Sequence, residues 1–288
     1  MQDSILEILK IIAPFSVAFI VFSEGLGISA SRVVAYFYEK PDLVFRSLIA
    51  SLVLVPIAAL VLILLLKPSH ALAIGLAIIV ACPPAPLMLK AATSKGGGNS
   101  EFMASLHLSL ALLALVTVPV IIYLLSRALD FEADVDLGVM FWILARTILL
   151  PVGLGLIVRA YWPAIADKLA PLVGKIGTIG LLVVVLIALV AMYPALLNMD
   201  AWSYFTIALV SISALAIGHF LGPSEPSERT ILAVECGVRH PVLAITIAGS
   251  NFDTPQILPI MVPCVITFIA IAMAYMIWRG KTTSKGAA

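Results

Sequence analysis

Apolar residues run almost unbroken in stretches of about twenty, at 5–23, 43–66, 71–94, 99–126, 138–160, 173–195, 201–221, 229–250 and 256–278, with short polar or Pro/Gly punctuation between them. A helix rises about 1.5 Å per residue, so about 20 residues cross the roughly 30 Å hydrocarbon layer of a bilayer. The pattern therefore predicts nine helical spans. Membrane β-strands are excluded, because they are shorter and alternate polar with apolar residues. The expected fold class is an all-α integral membrane protein. Asp3 and Glu7 beside a single Lys10 make a poor basic flank for a cleaved signal peptide, so the first run is expected to stay as a span.

Composition sharpens this picture. Hydrophobic residues make up 62% of the 288-residue chain and charged ones 11%, with a mean hydropathy of +1.15. An ordinary water-soluble enzyme keeps about a quarter of its residues charged, so lipid is the main expected partner and no separate soluble domain fits. A net charge of +1 argues against a nucleic-acid surface. Cys82, Cys236 and Cys264 all lie in apolar stretches, where a disulfide framework is implausible. Lys and Arg of the loops split between the two faces, with Lys10, Lys67 and Arg127 on one and Arg32, Lys40, Arg46, Lys95, Arg159, Lys168, Lys175, Arg229, Arg279, Lys281 and Lys285 on the other. Cytoplasmic loops hold the excess. The N-terminus is thus expected outside and the C-terminus in the cytoplasm, with the acidic run Asp130, Glu132, Asp134 and Asp136 as a solvated outer turn; short loops suit a bacterial inner membrane.

Lys90, Arg146 and Arg239 belong to no loop in that count. An ion at bilayer depth costs at least about 2.5–3.5 kcal/mol, so it faces a bundle interior or a water cavity and takes a partner. Arg146 is expected to be a buried anchor, and Glu235 is the acid placed deepest. Two spans also carry breaks. Cys82-Pro83-Pro84-Ala85-Pro86 sets three prolines within four residues, which no continuous helix tolerates. Glu235-Cys236-Gly237-Val238-Arg239-His240-Pro241 repeats the interruption in the eighth run. Paired broken helices point to a transporter, in which unwound carbonyls receive cations and half-helix N-termini face anionic groups near the bilayer midplane.

With these residues in view, the chain resembles the bile acid:sodium symporter family along nearly its whole length. The resemblance is carried by Gly25-Leu26-Gly27-Ile28-Ser29, Lys40-Pro41, Cys82-Pro83, Gly98-Asn99, Pro151-Val152-Gly153-Leu154-Gly155-Leu156-Ile157 and, most specifically, Glu235-Cys236-Gly237-Val238-Arg239-His240-Pro241-Val242-Leu243-Ala244. It implies an inverted-repeat core with two crossing discontinuous helices beside a panel, moving by alternating access. Many members have ten spans, and the nine expected here correspond to that set with its first span missing. The core is expected at about 71–160 and 229–278, and the panel at about 5–66 and 173–221. The expected breaks are at Pro83, Pro84, Pro86, Gly237 and Pro241.

The chain departs from the family at its sodium positions. By alignment to Gly98-Asn99, a Ser-Asn pair falls on Leu89 and Lys90, and two hydroxyl positions fall on Met103 and His107; the second crossover's Gln and Asn positions hold Arg239 and His240. Glu235 matches by identity and is the residual sodium-ligand candidate. An ammonium or guanidinium cannot coordinate sodium but can occupy its place beside a carboxylate. Lys90 and Arg239 are therefore expected to act as tethered cations, with ionised Glu235 partnering at least one. Three coupling modes stay open: residual sodium, protons through Lys90, His107 or His240, or no coupling. No cofactor is expected, and sodium is not favoured. The substrate-binding candidates are Lys90, His107, Glu235, Arg239 and His240, and the positive centre suggests a small organic anion. The last span, Pro263-Cys264-Val265-Ile266-Thr267, lacks a polar His-Asn pair, so a bile acid is not the expected cargo. No His-Glu-x-x-His or comparable catalytic pattern appears, and an enzyme is not expected. A sodium-coupled symporter and a non-transporting sensor remain the alternatives.

Overall fold

The computed structural model describes residues 2–27, 31, 38–85, 88, 91–94, 97–131, 137–251 and 254–285. Among the described residues the regular elements are helices: α1 (Gln2–Gly27), α2 (Pro41–Ile49, a π-helical turn at Ala50–Leu54, then Val55–Leu66), α3 (His70–Ala81), α4 (Ser100–Ala128), α5 (Leu137–Leu144, a π-helical turn at Ala145–Leu149, then Leu150–Tyr161), α6 (Pro163–Ala191), the short α7 (Tyr193–Asn198), α8 (Ala201–Leu221), α9 (Pro226–Gly237), α10 (Pro241–Asn251) and α11 (Thr254–Lys285). Both π turns have a local cause. Pro56 and Pro151 follow them, and each ring would meet the carbonyl four residues back, inside the turn.

Among the described residues, six helices are long and apolar enough to cross a membrane: Pro41–Leu66, Phe102–Ala128, Gly138–Tyr161, Pro163–Ala191, Ala201–Leu221 and Pro259–Thr282. The protein is thus an all-helical integral membrane protein. The other three expected runs differ for physical reasons. The first has a shorter apolar helix, Ile12–Gly27. In the third, α3 stops at Ala81 before its prolines, and the eighth is divided into α9 and α10.

Contacts sort the helices into two groups. The most extensive packing joins α1 to α6 and α5; in the other group α8 packs on α9, α11 and α2, while α3 packs on α11, α2 and α4. In these contacts α2 and α8 pack with the broken helices, and α5 packs with α1. Small residues explain the partnering. A Cβ on Gly25 would lie 2.5 Å from the Val152 carbonyl, and one on Gly155 would lie 2.6 Å from that of Phe22, so α1 and α5 touch backbone to backbone. Gly177 lets α6 approach Ser16 and Ile20 of α1 in the same way, and Gly218 brings α8 onto Leu232 and Ala233.

Loop and end contacts fix the frame. Ser69 caps α3 by accepting from the Leu72 N–H at 3.3 Å, and Asp200 caps α8 by accepting from the Ser203 N–H at 2.9 Å. Lys40 pairs with Glu228, tying the start of α2 to the start of α9. Trp202 donates its indole N–H to the Leu66 carbonyl at 3.0 Å, as befits a tryptophan at a helix end.

Candidate functional site

Helix α3 ends at Ala81, and Cys82 is extended (φ −67, ψ 152). Helix α9 ends at Gly237, and Val238 is extended as well (φ −125, ψ 119). The two extended segments meet in an antiparallel bridge between Pro84 and Arg239. It is held by the His240 N–H donating to the Pro83 carbonyl at 2.8 Å and the Ala85 N–H donating to the Val238 carbonyl at 3.3 Å. The crossing therefore uses backbone groups that the prolines and the helix ends release. Gly237 is required by space here, because a Cβ would collide with the Leu215 side chain. Pro241 begins α10, and His240 precedes it, its Nδ1 accepting from the Leu243 N–H at 3.2 Å as a cap.

Arg239 is 5% exposed and sits at this crossing. Its guanidinium donates to the Ser51 hydroxyl at 3.1 Å, to the Cys82 carbonyl at 3.3 Å and to the Ser51 carbonyl at 3.0 Å. Ser51 lies in the π turn of α2, where the regular helical hydrogen bonds are shifted by one residue. A fixed positive charge is thus surrounded by oxygens from α2 and from the break after α3.

Glu235 is fully buried, and neither of its oxygens has a hydrogen-bond partner among the described residues. Its titratable neighbour is His107 of α4, whose Nδ1 lies 3.7 Å from Glu235 Oε1. The Nε2 of the same imidazole lies 3.3 Å from Glu24 Oε2 of α1. Glu235 is expected to partner at least one of Lys90 and Arg239; no ion pair joins it to Arg239 among the described residues, and Lys90 lies outside them. The reason is the helix end at Gly237. A continuous helix would stack positions 235 and 239 on one face, whereas the extended segment sends Arg239 to α2.

Lys90, with Pro86 and Leu89, lies outside the described residues. Arg146 corrects its expected burial: its side chain is exposed on the π turn of α5. Glu24 is the functional candidate that the sequence reading did not single out. Its signal was an acid inside an apolar stretch, one residue before the close-packed Gly25.

Between α1 and α6 on one side and α4 on the other lies a cavity of ≈ 490 Å³, whose wall includes Ser23, Glu24, Met103, His107, Lys175 and Thr178. It spans the boundary between the two helix groups, and its size suits a small molecule. Polar groups of both signs converge on an otherwise apolar wall.

Comparison with known proteins agrees with this architecture. A probable sodium/metabolite cotransporter of rice chloroplasts (Oryza sativa subsp. japonica) is 23% identical over 251 residues, covering 84% of this chain and 58% of the relative. The chain thus spans less than two thirds of that relative's length. A protein of Bacillus subtilis (strain 168) named as an uncharacterised sodium-dependent transporter is 25% identical over 283 residues, covering 93% of this chain and 83% of the relative. The model of the sodium bile acid symporter family matches residues 14–199, from α1 through the first crossover to α7, with the second crossover beyond its end. That match takes in more than half of the sequence, and the chain belongs to the sodium bile acid symporter family.

Proposed function

We propose that this protein is a secondary transporter of a small organic anion, working by alternating access between the α1, α5, α6 group and the group that holds the two breaks. One observation carries the proposal: Arg239 holds a buried guanidinium against the Ser51 and Cys82 carbonyls at the crossing. Such carbonyls are the hard oxygens that a bare cation seeks at broken helices. Here a tethered cation takes them, and Lys90 is proposed as its companion in the first crossover. In this reading Glu235 is the acidic partner of His107 rather than a sodium ligand.

Anion selectivity follows from the same charge. The N-terminal end of α10 begins at Pro241, two residues beyond Arg239, and its dipole is positive toward the crossing. The cavity between the helix groups gives a small anion room to enter, with Lys175 in its wall. A carboxylate or sulfonate is the cargo that this arrangement favours.

The names of both relatives favour a second reading, sodium-coupled symport. The two are separated in liposomes containing purified protein, using labelled three- to eight-carbon carboxylates and sulfonates with and without an inward sodium gradient. Saturable uptake that ignores sodium supports the tethered cation. Uptake that requires sodium supports the second reading, and uptake no greater than in protein-free liposomes refutes both.

A further inference from the structure

We infer that Glu24, His107 and Glu235 form a proton-binding site that bridges the two helix groups, and that the coupling ion of this transporter is a proton. The inference rests on the transport reading for its physiological meaning, but its structural part stands by itself. Glu24 belongs to α1, in the group with α5 and α6. His107 and Glu235 belong to α4 and α9, in the group with the breaks. The imidazole is therefore the polar link between two bodies proposed to move apart.

Counting protons gives the argument its force. One imidazole nitrogen faces Glu24 Oε2 at 3.3 Å and the other faces Glu235 Oε1 at 3.7 Å. A neutral imidazole has one N–H and one lone pair, so it can donate to one carboxylate but must present a lone pair to the other. An ionised carboxylate offers no proton in return. Among the described residues, the arrangement is complementary only with one additional proton, either as an imidazolium between two carboxylates or as a neutral imidazole with one protonated carboxyl. Burial makes this requirement strict, because His107 is 6% exposed and Glu235 is fully enclosed, and an unpaired buried polar atom is costly. His107 Nδ1 and both Glu235 oxygens lack a hydrogen bond among the described residues, leaving room for the bonds to tighten when the proton is held.

The remaining charged and titratable groups complete the picture. From α6, Lys175 lines the cavity. Beyond α9, Arg239 is near enough to act on Glu235 electrostatically, and His240 is close enough to feel His107. Arg239 is occupied by α2 and the first break, and His240 Nδ1 by its cap. Glu24 and His107 both line the cavity, so a proton from its water can reach the imidazole while Glu235 stays enclosed. Protonation joins the groups through Glu24. Loss of the proton leaves a single N–H for two carboxylates, which weakens either the link to Glu24 or the hold on Glu235. The proton leaves by the reverse step when the site faces the other side.

The test needs no known substrate for its first arm. Spin labels on cysteines introduced by Leu172→Cys in α6 and Phe45→Cys in α2, both exposed positions, report the separation of the groups in lipid nanodiscs, with the buried native cysteines retained. The distance distribution is expected to change between pH 5.5 and 8.5 in sodium-free buffer, and to lose that change in Glu24→Gln and in His107→Gln. A distance indifferent to pH, or a pH response retained in both variants, overturns the proton site. The second arm is anion accumulation in liposomes under a pH gradient without sodium. One pH unit is expected to drive up to about tenfold accumulation per proton in the unmodified protein, and none in His107→Gln. A pH-dependent distance with no anion uptake refutes the transport reading while upholding the proton site. Uptake driven by sodium and unaffected by pH refutes the proton as coupling ion.

Discussion

Replacing Arg239 with Gln removes the charge at the crossing and leaves its oxygens to find other partners. The guanidinium makes three hydrogen bonds there, at 3.1, 3.3 and 3.0 Å. In membrane proteins such bonds average about 0.6 kcal/mol each and reach about 1.7, which puts the set at about 2 kcal/mol on average. Orphaned buried carbonyls cost about 1–3 kcal/mol each. With the Ser51 and Cys82 carbonyls both exposed to that fate, the expected loss is about 2–5 kcal/mol. At roughly 2–4 °C per kcal/mol for a chain near this size, the apparent melting midpoint falls by about 4–20 °C. The vacated place, lined by oxygens and close to Glu235, then suits a sodium ion. If sodium binds there at one tenth of its working concentration, it returns about 1.4 kcal/mol. The assay is thermal unfolding of purified protein in detergent, in sodium or in N-methylglucamine. The unmodified protein should melt alike in both, and Arg239→Gln should melt lower but recover partly in sodium. An unmodified protein stabilised by sodium, or a variant as stable as its parent in its absence, refutes the tethered cation.

Other perturbations test the frame. Gly155→Ala places a methyl group 2.6 Å from the Phe22 carbonyl, and overpacking of this kind costs about 1–3 kcal/mol; a lowered melting midpoint is expected, and no change contradicts the backbone contact of α1 with α5. Asp200 lies outside the spans, where bonds from the Ser203 hydroxyl and N–H hold its carboxyl below the ordinary carboxylate range. Its cap therefore contributes fully above the unfolded value and is lost as pH falls through the lowered folded one, so melting followed from pH 7 to pH 2 should lose that component in Asp200→Asn.

Much of this protein was legible in its sequence because lipid imposes a strict pattern. Backbone groups must be satisfied within helices, so long apolar runs gave the helices, and clustered prolines gave the first break. Less legible was which helices pack together. That depends on glycines such as Gly25, Gly155 and Gly218, whose meaning appears only when another backbone lies against them. The partner of Glu235 was hidden for a related reason. The sequence sets Glu235 beside at least one of Lys90 and Arg239, but the extended backbone after Gly237 sends Arg239 to α2, and His107 comes from far away in sequence. Glu24 had little local signal beyond being an acid in an apolar stretch. Arg146 shows the converse case, since depth along α5 was readable and the direction of its side chain was not.

The most direct test of the central claim is the steady-state accumulation of a transported anion in liposomes, compared under a sodium gradient alone and with no gradient at all. If Arg239 is a tethered cation in place of the ion, the anion reaches the same level in both conditions in the unmodified protein. Accumulation above that level, driven by the sodium gradient and abolished by its collapse, contradicts the account.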